Sequence, residues 1–220
     1  MAYIGKQPAV AALTASDITD GIISNAKLAQ DIISADTALA VTPATTDELL
    51  ISDAGTLKRI DYSVIAGVTE ADQWRVTANI TSDVDPIASN LERVDDASFE
   101  KIGTGMSVSS GTWTFPTTGL YMVKTNVVIV ADGNDNVQIQ VFATLNDSTY
   151  DQVAYSVGGG DSSGDEEQGC GTTNFVNVTD VSNVKVRFAA NSIGTSSYIF
   201  GSTTINASSF SFIRLGASQW

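Results

Sequence analysis

The stretch Trp113-Thr114-Phe115-Pro116-Thr117-Thr118-Gly119-Leu120-Tyr121 decides the fold of this chain. Proline and glycine are the strongest local marks of a turn, so Pro116 and Gly119 predict a turn between two strands. Tyr121 then opens the second strand as a large core residue with a polar end. The stretch therefore predicts a short strand, a tight connection and a longer strand in succession.

The residues that follow continue the β pattern. In Val123–Val130 and Val137–Phe142, apolar residues two apart fall on one face, whereas Gln138 and Gln140 face out. Asp132–Asn136 lies between these strands and predicts a hairpin loop. Regularly spaced strands with turn signals are typical of an all-β sandwich or barrel.

The same reasoning predicts strands along the rest of this region. The predicted strands are Trp74–Ile80, Glu92–Val94, Phe99–Ile102, Gly111–Phe115, Gly119–Val130, Asn136–Leu145, Tyr150–Val157, Thr172–Val178, Asn183–Ala190, Tyr198–Ile205 and Ser208–Leu215.

The deciding stretch resembles the central signature of C1q/TNF-like jelly rolls, aromatic-x-x-Pro-x-x-Gly-x-Tyr, with Trp113 where phenylalanine is usual. Phe99–Ile102 before it and Ser208–Leu215 after it are similar to two further motifs of that family, so the resemblance covers roughly residues 74–220. It implies a ten-stranded Greek-key jelly-roll sandwich that forms compact trimers and binds partners by its loops or subunit grooves. The fold-signature core residues are Trp113, Pro116, Gly119, Tyr121, Phe210 and Phe212.

The first part of the chain has a different character. Residues 24–32 predict a short helix with Leu28 and Ile32 on one face, too short to be stable alone. Residues 47–62 predict a small hairpin around Asp53-Ala54-Gly55. We expect residues 1–66 to be an attachment and trimerisation segment and residues 67–220 to be the jelly roll.

This segment resembles the attachment regions of tailed-bacteriophage fibre and virion proteins. The resemblance lies in Met1–Gly5, Asp17–Ala29, Asp47–Asp53 and Leu57–Ile60, in that order. It implies docking onto other virion proteins. The candidate attachment residues are Tyr3, Ile4, Ile22, Ile23, Leu28 and Ile32.

Composition excludes several classes of function. A formal net charge of −14 argues against nucleic acid and against an anionic membrane surface. The absence of histidine removes Ser-His-Asp and Cys-His catalysis and every histidine-based metal site. With Cys170 as its one cysteine, the chain forms no internal disulfide. We expect no catalytic residues, no cofactor, no metal, no signal peptide and no membrane insertion.

Some residues invite a second interpretation. Asp132–Asn136 and Asp161–Glu167 could gather oxygen ligands for calcium, but neither matches a cation-loop spacing and solubility explains them better. Cys170 lacks a basic neighbour, so a structural thiol is expected.

Seven aromatic residues could form a sugar-stacking platform, but we favour packing in the core or at a subunit interface for them. They are Trp113, Tyr121, Phe142, Phe175, Phe188, Phe210 and Phe212. The glycosylation pattern occurs at Asn79, Asn146, Asn177 and Asn206, as expected by chance in a Ser/Thr-rich chain.

The leading hypothesis is a non-enzymatic phage virion protein, a trimeric short tail fibre. Its N-terminus docks on the particle, and its jelly-roll head binds a host-surface glycan or protein. The alternative is a trimeric capsid decoration or head-fibre protein that stabilises the shell. A third reading is an unattached secreted C1q-like recognition domain.

Overall fold

The structure is a computed structural model that describes residues 46–65, 67–160 and 166–219, together with Thr14, Pro43 and Ala44. The chain divides into two compact units, Met1–Tyr62 and Ser63–Trp220. The assignment of residues 1–66 to attachment and trimerisation stays a prediction. The predicted helix at 24–32 lies outside the described residues.

A β-hairpin is the described element of the first unit, where the sequence predicted one. Strands β1 (Glu48–Asp53) and β2 (Thr56–Asp61) pair in antiparallel register through a two-residue turn. Ala54 and Gly55 both have positive φ, 48° and 84°, which matches the right-handed twist of paired strands. Every residue of β1 is exposed. A two-stranded hairpin with such an exposed strand is only marginally stable in water by itself.

The four-residue helix α1 (Tyr62–Ile65) begins at Tyr62, the last residue of the first unit. The rest of the second unit consists of strands and their connections. These strands are β3 (Ala71–Val76), β4 (Leu91–Arg93), β5 (Ser107–Ser109), β6 (Thr112–Thr114), β7 (Gly119–Ala131), β8 (Asn136–Thr144), β9 (Asp151–Gly159), β10 (Glu166–Cys170), β11 (Thr173–Val178), β12 (Lys185–Asn191), β13 (Tyr198–Ile199) and β14 (Ser209–Gly216). No helix of the described residues is long and apolar enough to cross a membrane.

Two antiparallel sheets of seven and five strands form the sandwich, so its described residues contain twelve strands and not the ten that the resemblance implies. One has seven strands, in the order β10-β7-β14-β3-β4, with β11 and β13 also paired to β7. The other has five, in the order β5-β6-β12-β8-β9. Because neighbours in each sheet are mostly distant in sequence, the chain crosses repeatedly between the sheets, as a Greek-key jelly roll requires.

Two strand predictions were wrong in detail, and strands β5 and β10 were not predicted. Phe99–Ile102 is not a strand, and Ile102 forms only an isolated bridge with Ala71. Tyr198–Ile205 shortens to Tyr198–Ile199 because the chain leaves β7 after two paired residues. Strand β10 was missed, since Glu166-Glu167-Gln168-Gly169-Cys170 carries no apolar alternation.

An aromatic cluster joins the two sheets. The Trp113 ring lies 5.8 Å from Phe188, 6.0 Å from Phe210 and 5.1 Å from Phe212. Phe188, from the five-stranded sheet, stacks on Phe210, from the seven-stranded sheet, with ring centroids 4.1 Å apart. Such contacts add to the free energy gained by apolar burial, and they hold the layers together.

Charged side chains fasten the edge of the sandwich next to β3. Arg75 is only 1% exposed, and its guanidinium pairs with Glu92 at 3.3 Å, with Asp96 at 3.0 Å and with Asp95. Arg93 Nε donates a hydrogen bond to Oδ1 of the buried Asp72 at 3.0 Å. A buried charge is tolerated only when it is paired in this way, so the segment around residues 92–96 is held by Arg75.

A side-chain amide closes the seam between β9 and β10. Gly159 donates its N–H to Gln168 Oε1 at 3.1 Å, and Gln168 Nε2 donates back to the Gly159 carbonyl. The amide thus supplies the two hydrogen bonds that a neighbouring strand would supply. It links strands that belong to different sheets.

Replacing the buried cation should destabilise the sandwich strongly. We expect Arg75→Ala to lower the free energy of unfolding by about 2–3 kcal/mol, because a long buried side chain leaves a cavity and three partly exposed carboxylates lose their shared cation. Equilibrium urea denaturation at one fixed protein concentration measures this. The exposed Lys101→Ala is the control, with an expected change below about 0.5 kcal/mol. A loss below about 1 kcal/mol for Arg75→Ala would contradict the role given to this residue.

Candidate functional site

The turn at Pro116–Gly119 is held by the residues that identified it in the sequence. Tyr121 is buried, and its hydroxyl donates to the Thr117 carbonyl at 3.1 Å and lies 2.9 Å from Thr117 Oγ1. Burial raises the pKa of the Tyr121 phenol, although the Thr117 hydrogen bond acts in the opposite direction. A Cβ on Gly119 would lie 2.4 Å from Arg214 Nε, so only glycine leaves room for Arg214 to reach the Thr118 carbonyl.

The other signature residues lie inside the sandwich. Trp113, Phe210 and Phe212 are each at most 1% exposed, and Pro116 is half-buried at the end of the turn. Phe188 is fully buried with them, whereas Phe142 is half-buried and Phe175 is exposed. These aromatic residues therefore divide into core and surface, and only the surface ones can meet a partner.

An apolar row crosses the outward face of the seven-stranded sheet. Met122 lies between the inward residues Tyr121 and Val123, so its side chain points away from the core. The strand register then sets directly paired residues beside it on the same face. The apolar row consists of Phe175, Met122, Ile213, Ala71 and Ile102, in that order across β11, β7, β14, β3 and the bridging segment.

The apolar row is open to solvent in the isolated subunit. Phe175 is 65% exposed and Ile102 is 46% exposed, while Met122, Ile213 and Ala71 are half-buried. The next row along the strands is polar, with Thr173 and Ser211 on either side of Lys124. An exposed, continuous apolar patch with a polar rim is typical of a subunit interface.

A groove adjoins one end of this row, at the open edge of the sandwich. It has a volume of about 490 Å³, and Phe175 and Val176 line one wall while Leu145 and Val153 line the other. Leu145 and Val153 are themselves exposed. Phe175 therefore belongs both to a sheet face and to a sheet edge that lack apolar cover.

Sequence reasoning did not single out Met122, Ile213 or Ile102. A signal for two of them was present. Leu120-Tyr121-Met122-Val123 and Phe210-Ser211-Phe212-Ile213 place apolar residues on both faces of a strand, which indicates that the second face is also covered.

The acidic loop at Asp132–Asn136 uses its carboxylate within the protein. Ser197 Oγ donates to Asp135 Oδ2 at 2.6 Å, and the Asp132 N–H donates to Ser197 Oγ at 2.8 Å. Among the residues that the structure describes, no group of three Cys, Asp or Glu side chains is placed to hold a metal ion. Residues 161–165 of the second acidic loop lie outside the described residues.

Cys170 lies half-buried in β10 beside Ser156. Burial raises the pKa of the Cys170 thiol, with the Ser156 hydrogen bond acting against it. A raised pKa disfavours the thiolate, which is the reactive form.

The four asparagines of the glycosylation pattern form hydrogen bonds with other parts of the fold. Asn79 and Asn146 accept backbone N–H groups, at 3.0 Å from Gly201 and at 2.9 Å from Thr149. Asn177 exchanges hydrogen bonds with Gln219, and Asn206 lies 3.4 Å from Gln73 Oε1. The candidate attachment residues are in another part of the chain and lie outside the described residues; these are Tyr3, Ile4, Ile22, Ile23, Leu28 and Ile32.

Comparison with solved structures identifies the architecture. Eiger TNF from S. frugiperda superposes with a TM-score of 0.53 at 11% identity, over 70% of this chain and 97% of that chain. Murine APRIL gives a TM-score of 0.50 at 14% identity, over 66% and 99% of the two chains. The fold is the TNF-like jelly roll. This confirms the predicted fold class, and at such low identity the likeness concerns the fold alone.

No protein-family model and no curated protein matches the sequence. The phage-like character of the N-terminal segment stays a prediction. In the jelly-roll unit, the apolar row and its groove together form a continuous exposed apolar surface.

Trp113 offers a test of the signature core. Among the described residues its indole N–H has no hydrogen-bond acceptor, although it is buried. We expect Trp113→Ala to lower the free energy of unfolding by about 3–5 kcal/mol through the cavity that it leaves. Trp113→Phe should cost less than about 1.5 kcal/mol, because it removes the unsatisfied donor while it keeps an aromatic ring.

Urea denaturation of both variants at one protein concentration measures the two losses. The exposed Asn134→Ala, in the loop between β7 and β8, serves as the control and should change stability by less than about 0.5 kcal/mol. Equal losses for Trp113→Phe and Trp113→Ala would show that the indole makes a contact that phenylalanine cannot replace.

Proposed function

We propose that this chain is a non-enzymatic, trimeric virion protein of a tailed phage. It acts as a short tail fibre that docks by residues 1–66 and presents the TNF-like jelly roll to the host surface. The observation that carries the assembly is the apolar row on the outward face of the seven-stranded sheet. The location on a phage particle rests on the N-terminal resemblance described above.

The apolar row supports association of identical subunits. Phe175, at 65% exposure, would bury a large aromatic surface only against another molecule. The row lies on a sheet face and the groove lies at a sheet edge, and the two surfaces meet at Phe175. A head-to-tail contact joins two such different surfaces, with the face of one subunit against the edge of the next. Head-to-tail contacts form a ring when the rotation between subunits closes, and the TNF-like resemblance favours a closed ring of three.

The N-terminal hairpin supports a second attachment point. Leu49, Leu50 and Ile51 are all exposed on β1. A hairpin with apolar residues on both faces gains stability when other strands or chains cover it. In the proposed fibre, residues 1–66 of three chains together meet the proteins of the particle.

Three-fold symmetry supports a receptor-binding role, because a trimer presents the same binding surface three times. Three identical heads raise the effective concentration of each weak contact, so modest individual affinities give firm adhesion. The net charge of −14 directs the search for a receptor away from nucleic acid and acidic surfaces. A capsid decoration protein would use the same trimer and differs in copy number.

A charge in the apolar row should dissociate the trimer. We expect the full chain to scatter light as three times the monomer mass and Phe175→Asp to scatter as a monomer, because three carboxylates would be brought into an apolar contact. Asn134→Asp adds a charge at an exposed residue beyond the far end of β7 from Met122, so it is the control and should remain trimeric. A monomeric wild-type chain at micromolar concentration would remove the assembly proposal.

Copy number separates the fibre from the decoration protein. In purified particles, quantitative mass spectrometry of this chain against the major capsid protein should give a small ratio, because a tail carries few fibres. A ratio near one would establish the decoration role instead. Absence of the chain from the particles would exclude both.

A further inference from the structure

The outward face of the five-stranded sheet carries an exposed aromatic ring beside two amides. Val141 and Ile139 of β8 are fully buried, so the alternate residues Gln140 and Gln138 point outward. Tyr155 of β9 pairs directly with Gln140 in the register, and its side chain therefore lies on the same face. Tyr155 is 59% exposed.

The two amides are held in a fixed arrangement. Gln140 Nε2 donates to Gln138 Oε1 at 2.9 Å. Within the described part of the chain, this bond leaves Gln138 Nε2 and Gln140 Oε1 without partners. One donor and one acceptor thus stand next to the Tyr155 ring, oriented before any ligand arrives.

The cations of the same sheet are already neutralised. The Arg187 guanidinium lies 5.0 Å from the Phe142 ring and 4.5 Å from the Tyr150 ring, and it pairs with Asp85 at 3.1 Å. Lys185, the other basic residue of these five strands, pairs with Asp147 at 2.6 Å. With both cations paired and a chain charge of −14, this face favours an uncharged ligand.

We propose that this surface, defined by Tyr155, Gln140 and Gln138 and called the tyrosine platform, binds uncharged saccharides. The apolar side of a sugar ring stacks on Tyr155, while neighbouring hydroxyls donate to Gln140 Oε1 and accept from Gln138 Nε2. The platform names the receptor class for the proposed host-binding function, and it rests on that function. The platform lies on the outward face of the five-stranded sheet, whereas the apolar row lies on the outward face of the seven-stranded sheet.

The experiment uses the full chain in solution over immobilised maltohexaose, mannohexaose, galactohexaose and chitohexaose, read by interferometry, with heparin as the anionic comparator. We expect saturable binding to at least one uncharged oligosaccharide and none to heparin. Tyr155→Ala should weaken that binding about tenfold or more, whereas Tyr155→Phe keeps it within about threefold because the ring remains.

Gln140→Leu should weaken binding as well, since it removes the free acceptor while it keeps the size of the side chain. Ile205→Ala is the matched control at an exposed apolar residue elsewhere, and it should bind as the wild type does. Light scattering of each variant reports the assembly separately. If Tyr155→Ala changes the mass instead of the binding, the platform is a subunit contact and the proposal fails.

Binding to none of the four oligosaccharides, or equal binding by wild type and Tyr155→Ala, also overturns the proposal. Neither result touches the trimer, which is judged by mass, or the virion location, which is judged by copy number. Stronger binding to heparin than to the uncharged panel would contradict the charge argument directly.

Discussion

Aromatic packing between the two sheets is the contact on which the rest of this structure depends. Trp113 from β6 meets Phe210 and Phe212 from β14, and Phe188 from β12 stacks on Phe210. These residues are far apart in the sequence, so the chain gains their burial only after most crossovers have formed. Once they are packed, the spacing and orientation of both layers are set, and so are the two outward faces.

The fold class was predictable because its determinants are local. Alternation in Val123–Val130 and Val137–Phe142 sets the strand period, and Pro116 with Gly119 marks the turn. What escaped prediction depends on partners distant in sequence. Strand β10 extends because the 13-residue β7 offers it unpaired backbone groups, not because its own residues favour a strand.

The candidate sites show the same division. Leu120–Val123 signals a strand with two apolar faces, yet only the register reveals that Met122 is aligned with Phe175 and Ile213. Likewise, outward-facing Gln140 was predictable from alternation, whereas its pairing with Tyr155 depends on a register shift between Val141 and Phe142. A one-residue slip would move every side chain of the strand to the other face. Sequence therefore predicts which residues are outward, and the strand register determines which of them form a common surface.

The two hydrogen bonds between the Gln168 side chain and the Gly159 backbone have a consequence for sequence variation in the segment between them. They tie both ends of the intervening segment to the sandwich, independently of what lies between them. For a chain segment whose ends are already held, added length costs only a slowly growing loop entropy. Insertions and sequence drift can therefore accumulate between residues 160 and 167 without opening the seam, which makes this position a natural place for variation among descendants of the protein.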